Sequence, residues 1–123
     1  MRSVLSIIPA LVLATLPMTI SAQQTVGAGN AATVVGKGAT VCGKVESFRF
    51  NENSDGQPTF LHLGGAYPNH TFAVRISGED KKKFSPAPEE LVGHMVCVTG
   101  SVAFAQGNKP EMVITSPKDL NVM

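Results

Sequence analysis

Three histidines, His62, His70 and His94, are the residues with the most obvious capacity for chemistry. Imidazole is the commonest protein metal ligand, but a zinc site needs tightly spaced ligands. His62 and His70 are separated by a glycine-rich stretch, and His94 stands alone before a strand-like run. No metal site and no cofactor is expected. Nuclease chemistry needs carboxylates around a metal, or a base with arginines to hold phosphate. Beyond residue 22 the chain has only two arginines, Arg49 and Arg75. Asp55 falls in a turn, and Glu79 and Asp80 fall on a short helix-like run, so no carboxylate pair shares an inward face. Cys42 and Cys97 show no histidine partner by pattern, so a thiol nucleophile is not indicated either. The expectation is therefore a protein that is not an enzyme. Lys81-Lys82-Lys83 reads as a solvated helix face, with a phosphate-binding patch as its functional alternative.

The elements that position these residues are short strands. Val41-Cys42-Gly43-Lys44-Val45 and Val98-Thr99-Gly100-Ser101-Val102 repeat one V-x-G-x-V pattern. Strands are predicted at 40–50, 59–63, 71–76, 95–104 and 111–115, each bounded by Gly, Pro or Asn. A short helix is predicted at 78–84, with acids at its start and lysines at its end, as the helix dipole favours. The order, β-β-β-helix-β-β, predicts an all-β fold with one short helix, a small closed barrel of five strands. Alternation predicts a core of Val41, Val45, Leu61, Leu63, Phe72, Val74, Ile76, Val96, Val98, Val102, Val113 and Ile114.

Residues 1–22 read as a secretory signal peptide. Arg2 precedes an apolar run, and Ile20-Ser21-Ala22 offers a small residue for cleavage before Gln23. The run is short of the roughly 20 residues that a membrane span requires, and Pro9 and Pro17 interrupt it. An exported protein, periplasmic or extracellular, with no membrane span after processing, is the expectation. Residues 23–38, rich in Gly, Ala and Thr, read as a flexible lead-in, and 39–120 as the barrel domain. Without Arg2 the ten cations become nine against nine acids, a formal charge of zero. Proteins that hold nucleic acid through phosphates usually carry a basic surplus. Any such role here must rest on a local patch.

The strand segments, together with Phe60-Leu61-His62-Leu63-Gly64-Gly65-Ala66-Tyr67-Pro68 between the second and third strands, resemble the OB-fold, the oligonucleotide/oligosaccharide-binding barrel. The likeness is to small exported bacterial OB modules, some of which accompany secreted nucleases. The resemblance implies a ligand face on the outer side of the second and third strands. It places Lys44, Phe48, Phe60, His62, Tyr67 and Arg75 as candidate ligand-binding residues. Aromatics there would stack on bases or sugars, and cations would meet phosphate. The bland alternative is that Phe60 is covered by the loop around Tyr67 and that Lys44 and Arg75 are merely solvated. The implied function is a non-catalytic binding module for single-stranded nucleic acid, oligosaccharide or another anionic polymer. The alternative is a protein-interaction or structural module that docks on a cell-envelope protein.

An exported chain with two cysteines invites a disulfide. By alternation both point outward. The resemblance further implies that the first and fourth strands are antiparallel neighbours, so Cys42 and Cys97 would face each other. Two separate thiols, or pairing with another molecule, are the alternatives.

Overall fold

Strand β2 (Gly38–Phe50) is the long element on which the barrel closes. Its first half alternates Ala39, Val41 and Val45 toward the interior, the two-residue period of a half-buried strand. In the computed structural model, which describes residues 23–123 apart from the side chain of Gln106, this half pairs antiparallel with β5 (Met95–Phe104). The second half pairs antiparallel with β3 (Thr59–Leu63), which in turn pairs with β4 (Phe72–Ile76). Strand β6 (Pro110–Val113) joins parallel to β4 and antiparallel to β5. The order β2-β3-β4-β6-β5, closed by β5 on β2, is the expected five-stranded OB-type barrel. The expected signal peptide lies outside the described residues.

Two further strands flank the seam between β2 and β5. Strand β1 (Gln24–Gly27) runs parallel to β2, and β7 (Leu120–Val122) antiparallel to β5. Residues 23–38 are thus not a flexible lead-in. After β1 comes a 3-10 helix, Ala28–Val34, that buries Ala28, Ala31 and Val34. Their three-residue spacing is the period of that helix. Gly43 lies beneath it: a Cβ there would stand 2.9 Å from that of Ala28. The small residues that suggested flexibility permit this close approach.

The predicted core is buried throughout except at β6. Met112 and Ile114 point inward, while Val113 is 58% exposed. Val113 and Ile114 cannot both face the core of a regular strand, because successive side chains alternate. The helix α1 (Gly78–Lys81) is shorter than predicted, and Ser77 caps it by accepting the Asp80 amide at 3.1 Å. Lys81 is tied to Glu89 at 3.1 Å and Lys83 to Asp80 at 2.8 Å.

Cys42 and Cys97 are direct cross-strand partners and form a disulfide. It joins positions 55 residues apart across the β2–β5 seam. In the chain-entropy account a loop of that length contributes about 4 kcal/mol at most. Beside it, Thr40 and Thr99 share a 2.8 Å hydroxyl hydrogen bond.

Candidate nucleic-acid interface

The outer face of β2, β3, β4 and β6 carries two rows of side chains across the strands. Register places Arg49, Phe60, Arg75 and Val113 in one row. The second row runs Ser47, His62, Ala73, Glu111 and then Ala103 on β5. Arg49, Phe60 and Arg75 of the first row and His62, Ala73 and Glu111 of the second floor an open groove of about 770 Å³. The β2–β3 loop supplies Asn51, Ser54 and Pro58 at one margin. Ala105, Gly107 and Lys109, around the β5–β6 turn, supply the other.

Arg49 reaches this face because β2 is irregular between Val45 and Ser47. An inserted residue reverses the alternation. Beyond it, Ser47 and Arg49 face outward opposite His62 and Phe60, whereas Phe48 pairs with Leu61. Each arginine lies over an aromatic ring. Arg75 sits 5.6 Å from the Phe60 centroid and Arg49 5.2 Å from that of Tyr67. Arg49 also donates to the Tyr67 hydroxyl at 3.0 Å. The face therefore presents guanidinium planes backed by rings. Such planes both stack on bases and attract phosphate.

The loop between β3 and β4 folds back over His62. Gly64 and Gly65 take φ of 72° and 136°, where side chains are strained. A Cβ on Gly65 would meet the Asn69 carbonyl oxygen at 2.8 Å, and one on Gly64 would collide with the Thr71 hydroxyl. The reversal gathers Tyr67, His62 and His70: His62 lies tilted 5.2 Å from Tyr67 and 4.4 Å from His70, and Tyr67 stacks on His70 at 5.8 Å. The Tyr67 amide donates to Ser47 Oγ at 3.0 Å, and Ser47 Oγ lies 2.9 Å from His62 Nδ1. The Ser47 hydroxyl, with one lone pair on the Tyr67 amide, keeps both a hydrogen and a second lone pair for Nδ1, and the tautomer of His62 sets which is used. Lys109 closes the arrangement by donating to the carbonyls of Pro68 and, at 3.0 Å, His70.

Burial, seconded by His70, Arg49 and Lys109, holds the pKa of His62 down at about 4. Burial and Lys109 lower His70 as well. Both imidazoles are therefore polar surfaces rather than cations near neutral pH. Burial pushes the Glu111 carboxyl upward, and Arg75 opposes that shift. The fixed cations of the face are Arg49, Arg75 and Lys109. Among the described residues no group of three His, Cys, Asp or Glu is gathered to hold a metal.

Of the six candidate ligand residues, Phe60, His62, Tyr67 and Arg75 converge on the groove. Lys44 and Phe48 do not. Lys44 pairs with Met95 on the seam half of β2. Phe48 is turned away by the irregularity in β2 and is 46% exposed on the opposite side. Phe60 is half-buried, with Arg75 over its ring. Arg49, His70, Lys109 and Glu111 complete the site and were not expected there.

No protein-family model matches the chain, and no curated protein matches it in sequence. Solved structures do. A chain from the crystal structure of yeast Stn1 and Ten1 superimposes with a TM-score of 0.57 at 10% identity, over 85% of this chain. This chain spans 64% of that one. The chain has an OB-type fold. A chain from Leishmania major Friedlin, assigned as an aspartyl-tRNA synthetase, aligns over 88% of this chain and 22% of its own, at 11% identity and a TM-score of 0.48.

Proposed function

We propose that this barrel is a non-catalytic module that binds single-stranded nucleic acid on the outer face of β2, β3, β4 and β6. The observation that carries the reading is the paired placement of Arg49 on Tyr67 and Arg75 on Phe60 along one open groove. An aromatic-backed guanidinium serves both components of a single strand, its π-faces and its phosphates. The chain outside the leader is formally neutral, so the affinity comes from this patch. An exported setting accords with the leader-like residues 1–22 and with the Cys42–Cys97 disulfide.

Fluorescence anisotropy of a labelled thymidine oligonucleotide, titrated at several salt concentrations, tests the reading. Three groove cations give an expected slope of about −2 in log K against log salt, near −0.7 for each phosphate neutralised. Arg49→Ala and Arg75→Ala should each flatten it. Salt-independent binding, or none, would remove the reading. A protein-docking role has its own observation: β1 and β7 are the edges of the seam sheet, and edge strands can accept an added strand. Retention of an envelope protein after nuclease treatment, with no oligonucleotide binding, would favour that role.

A further inference from the structure

Glu111 is an unexpected residue in a groove for an anionic strand. It sits on β6 between Ala73 of β4 and Ala103 of β5. Of these small neighbours Ala73 lines the groove beside Glu111, leaving a recess over its methyl group, with His62 beyond it and Arg75 in the adjacent row. Among the described residues Glu111 makes no hydrogen bond or ion pair. Its carboxyl is half-buried, and burial already disfavours its charge. A carboxylate here repels phosphate. It would be stabilised by a neutral group that donates N–H bonds.

The bases differ in what they offer such an acceptor. The pairing edge of guanine presents two adjacent donors, N1–H and the 2-amino group, with the O6 acceptor beside them. Adenine and cytosine present one amino group next to an acceptor nitrogen. Thymine and uracil present one N–H between two carbonyls, which a carboxylate repels. Only guanine matches the two oxygens of Glu111 while leaving O6 for a guanidinium.

We propose that Glu111 makes the groove select guanine. The unpaired base enters the recess over Ala73, donates N1–H and N2–H to the Glu111 carboxylate, and accepts from Arg75 at O6. This inference rests on the single-strand reading above and adds base choice to it.

The test uses three labelled strands in anisotropy titrations at one fixed salt concentration. One is a thymidine run, one carries a single central dG, and one carries inosine there, which lacks the 2-amino group. The dG strand should bind about tenfold more tightly than the thymidine run, the discrimination of one good bidentate pair. Inosine should lose most of that gain. Glu111→Gln should bind the thymidine run at least as well as the wild-type protein, because a repulsive charge is gone, and should show no guanine preference. Equal affinity for all three strands overturns the guanine inference and leaves the groove reading standing. A Glu111→Gln protein that gains equally on every strand and retains any preference also overturns it, since Glu111 then only repels. Failure to bind any strand overturns both. The inosine comparison needs no variant, so it holds even if Glu111→Gln folds poorly.

Discussion

The two outer faces of this barrel are built from the same strands but from different chemistry. At the middle of the seam, the outward pairs of β2 and β5 are Thr40 with Thr99 and Cys42 with Cys97, closed on themselves by a hydroxyl hydrogen bond and a disulfide. Across the groove, the outward residues of β2, β3 and β4 are Ser47, Arg49, Phe60, His62, Ala73 and Arg75, with each arginine set over an aromatic ring. The seam consumes its own bonding capacity and the groove keeps some in reserve. In a small barrel this division is useful. The seam stabilises the closure, so the groove can carry charged and desolvated groups that add little to the fold.

The largest expected effect lies at the seam's inner side. Val98 is fully buried opposite Val41. Val98→Asp should abolish folding, because an unpaired buried charge is very costly. A soluble variant with an unchanged melting curve would contradict the register. Next is the disulfide. A Cys42→Ser, Cys97→Ser double variant should lose about 2–4 kcal/mol of stability, which denaturant unfolding reads directly. Mass spectrometry of the non-reduced protein should show the two-proton deficit of one internal bridge. Two alkylatable thiols would refute the clip. If the double variant is as stable as the parent, the seam does not have the stabilising role given to it here.

The groove contributes a smaller and pH-dependent term. The pKa of His62 falls from 6.5 to about 4 on folding, so the unfolded chain takes up this proton first. Stability is therefore full above about pH 6.5 and declines as the pH falls toward 4, by up to about 3 kcal/mol from this group. His70, lowered in the same direction, adds to the loss. Urea unfolding across that window should show the decline in the parent protein and a shallower one in His62→Gln. Equal slopes would mean that the His62 ring is solvated in the fold. The smallest effect on stability is expected at Phe60. Phe60→Ala should weaken oligonucleotide binding by about 1–3 kcal/mol and leave the melting curve nearly unchanged. A variant that unfolds without any loss of binding would reverse the comparison between seam and groove.

The barrel was legible because its strands alternate plainly. Val41 and Val45, Leu61 and Leu63, and Phe72, Val74 and Ile76 all sit where a two-residue period places them. The cross-strand pairing of Cys42 with Cys97 followed once the strand order was assumed. The site was legible only in part. One local irregularity in β2 exchanges Phe48 for Arg49 on the groove face, and no residue type announces it. Lys109 and Glu111 enter the site through the parallel pairing of β6 with β4, which joins segments far apart in sequence. The inward choice of Met112 over Val113 belongs to the same register. Within residues 23–38 the sequence does carry a helical signal, because Ala28, Ala31 and Val34 recur every third residue. Composition rich in small residues suggested mobility, but small side chains also allow a helix to lie directly on Gly43.

A single strand bound to this barrel should lie across the groove and not on the seam. Amide chemical shifts followed by NMR during titration with a short single-stranded oligonucleotide test it most directly. The amides of Arg49, Phe60, Ala73, Arg75 and Glu111 should move together and saturate, while those of Thr40, Cys42, Cys97 and Thr99 stay fixed. Shifts concentrated on the seam or on the β1 and β7 edges, with the groove amides unmoved, would contradict it.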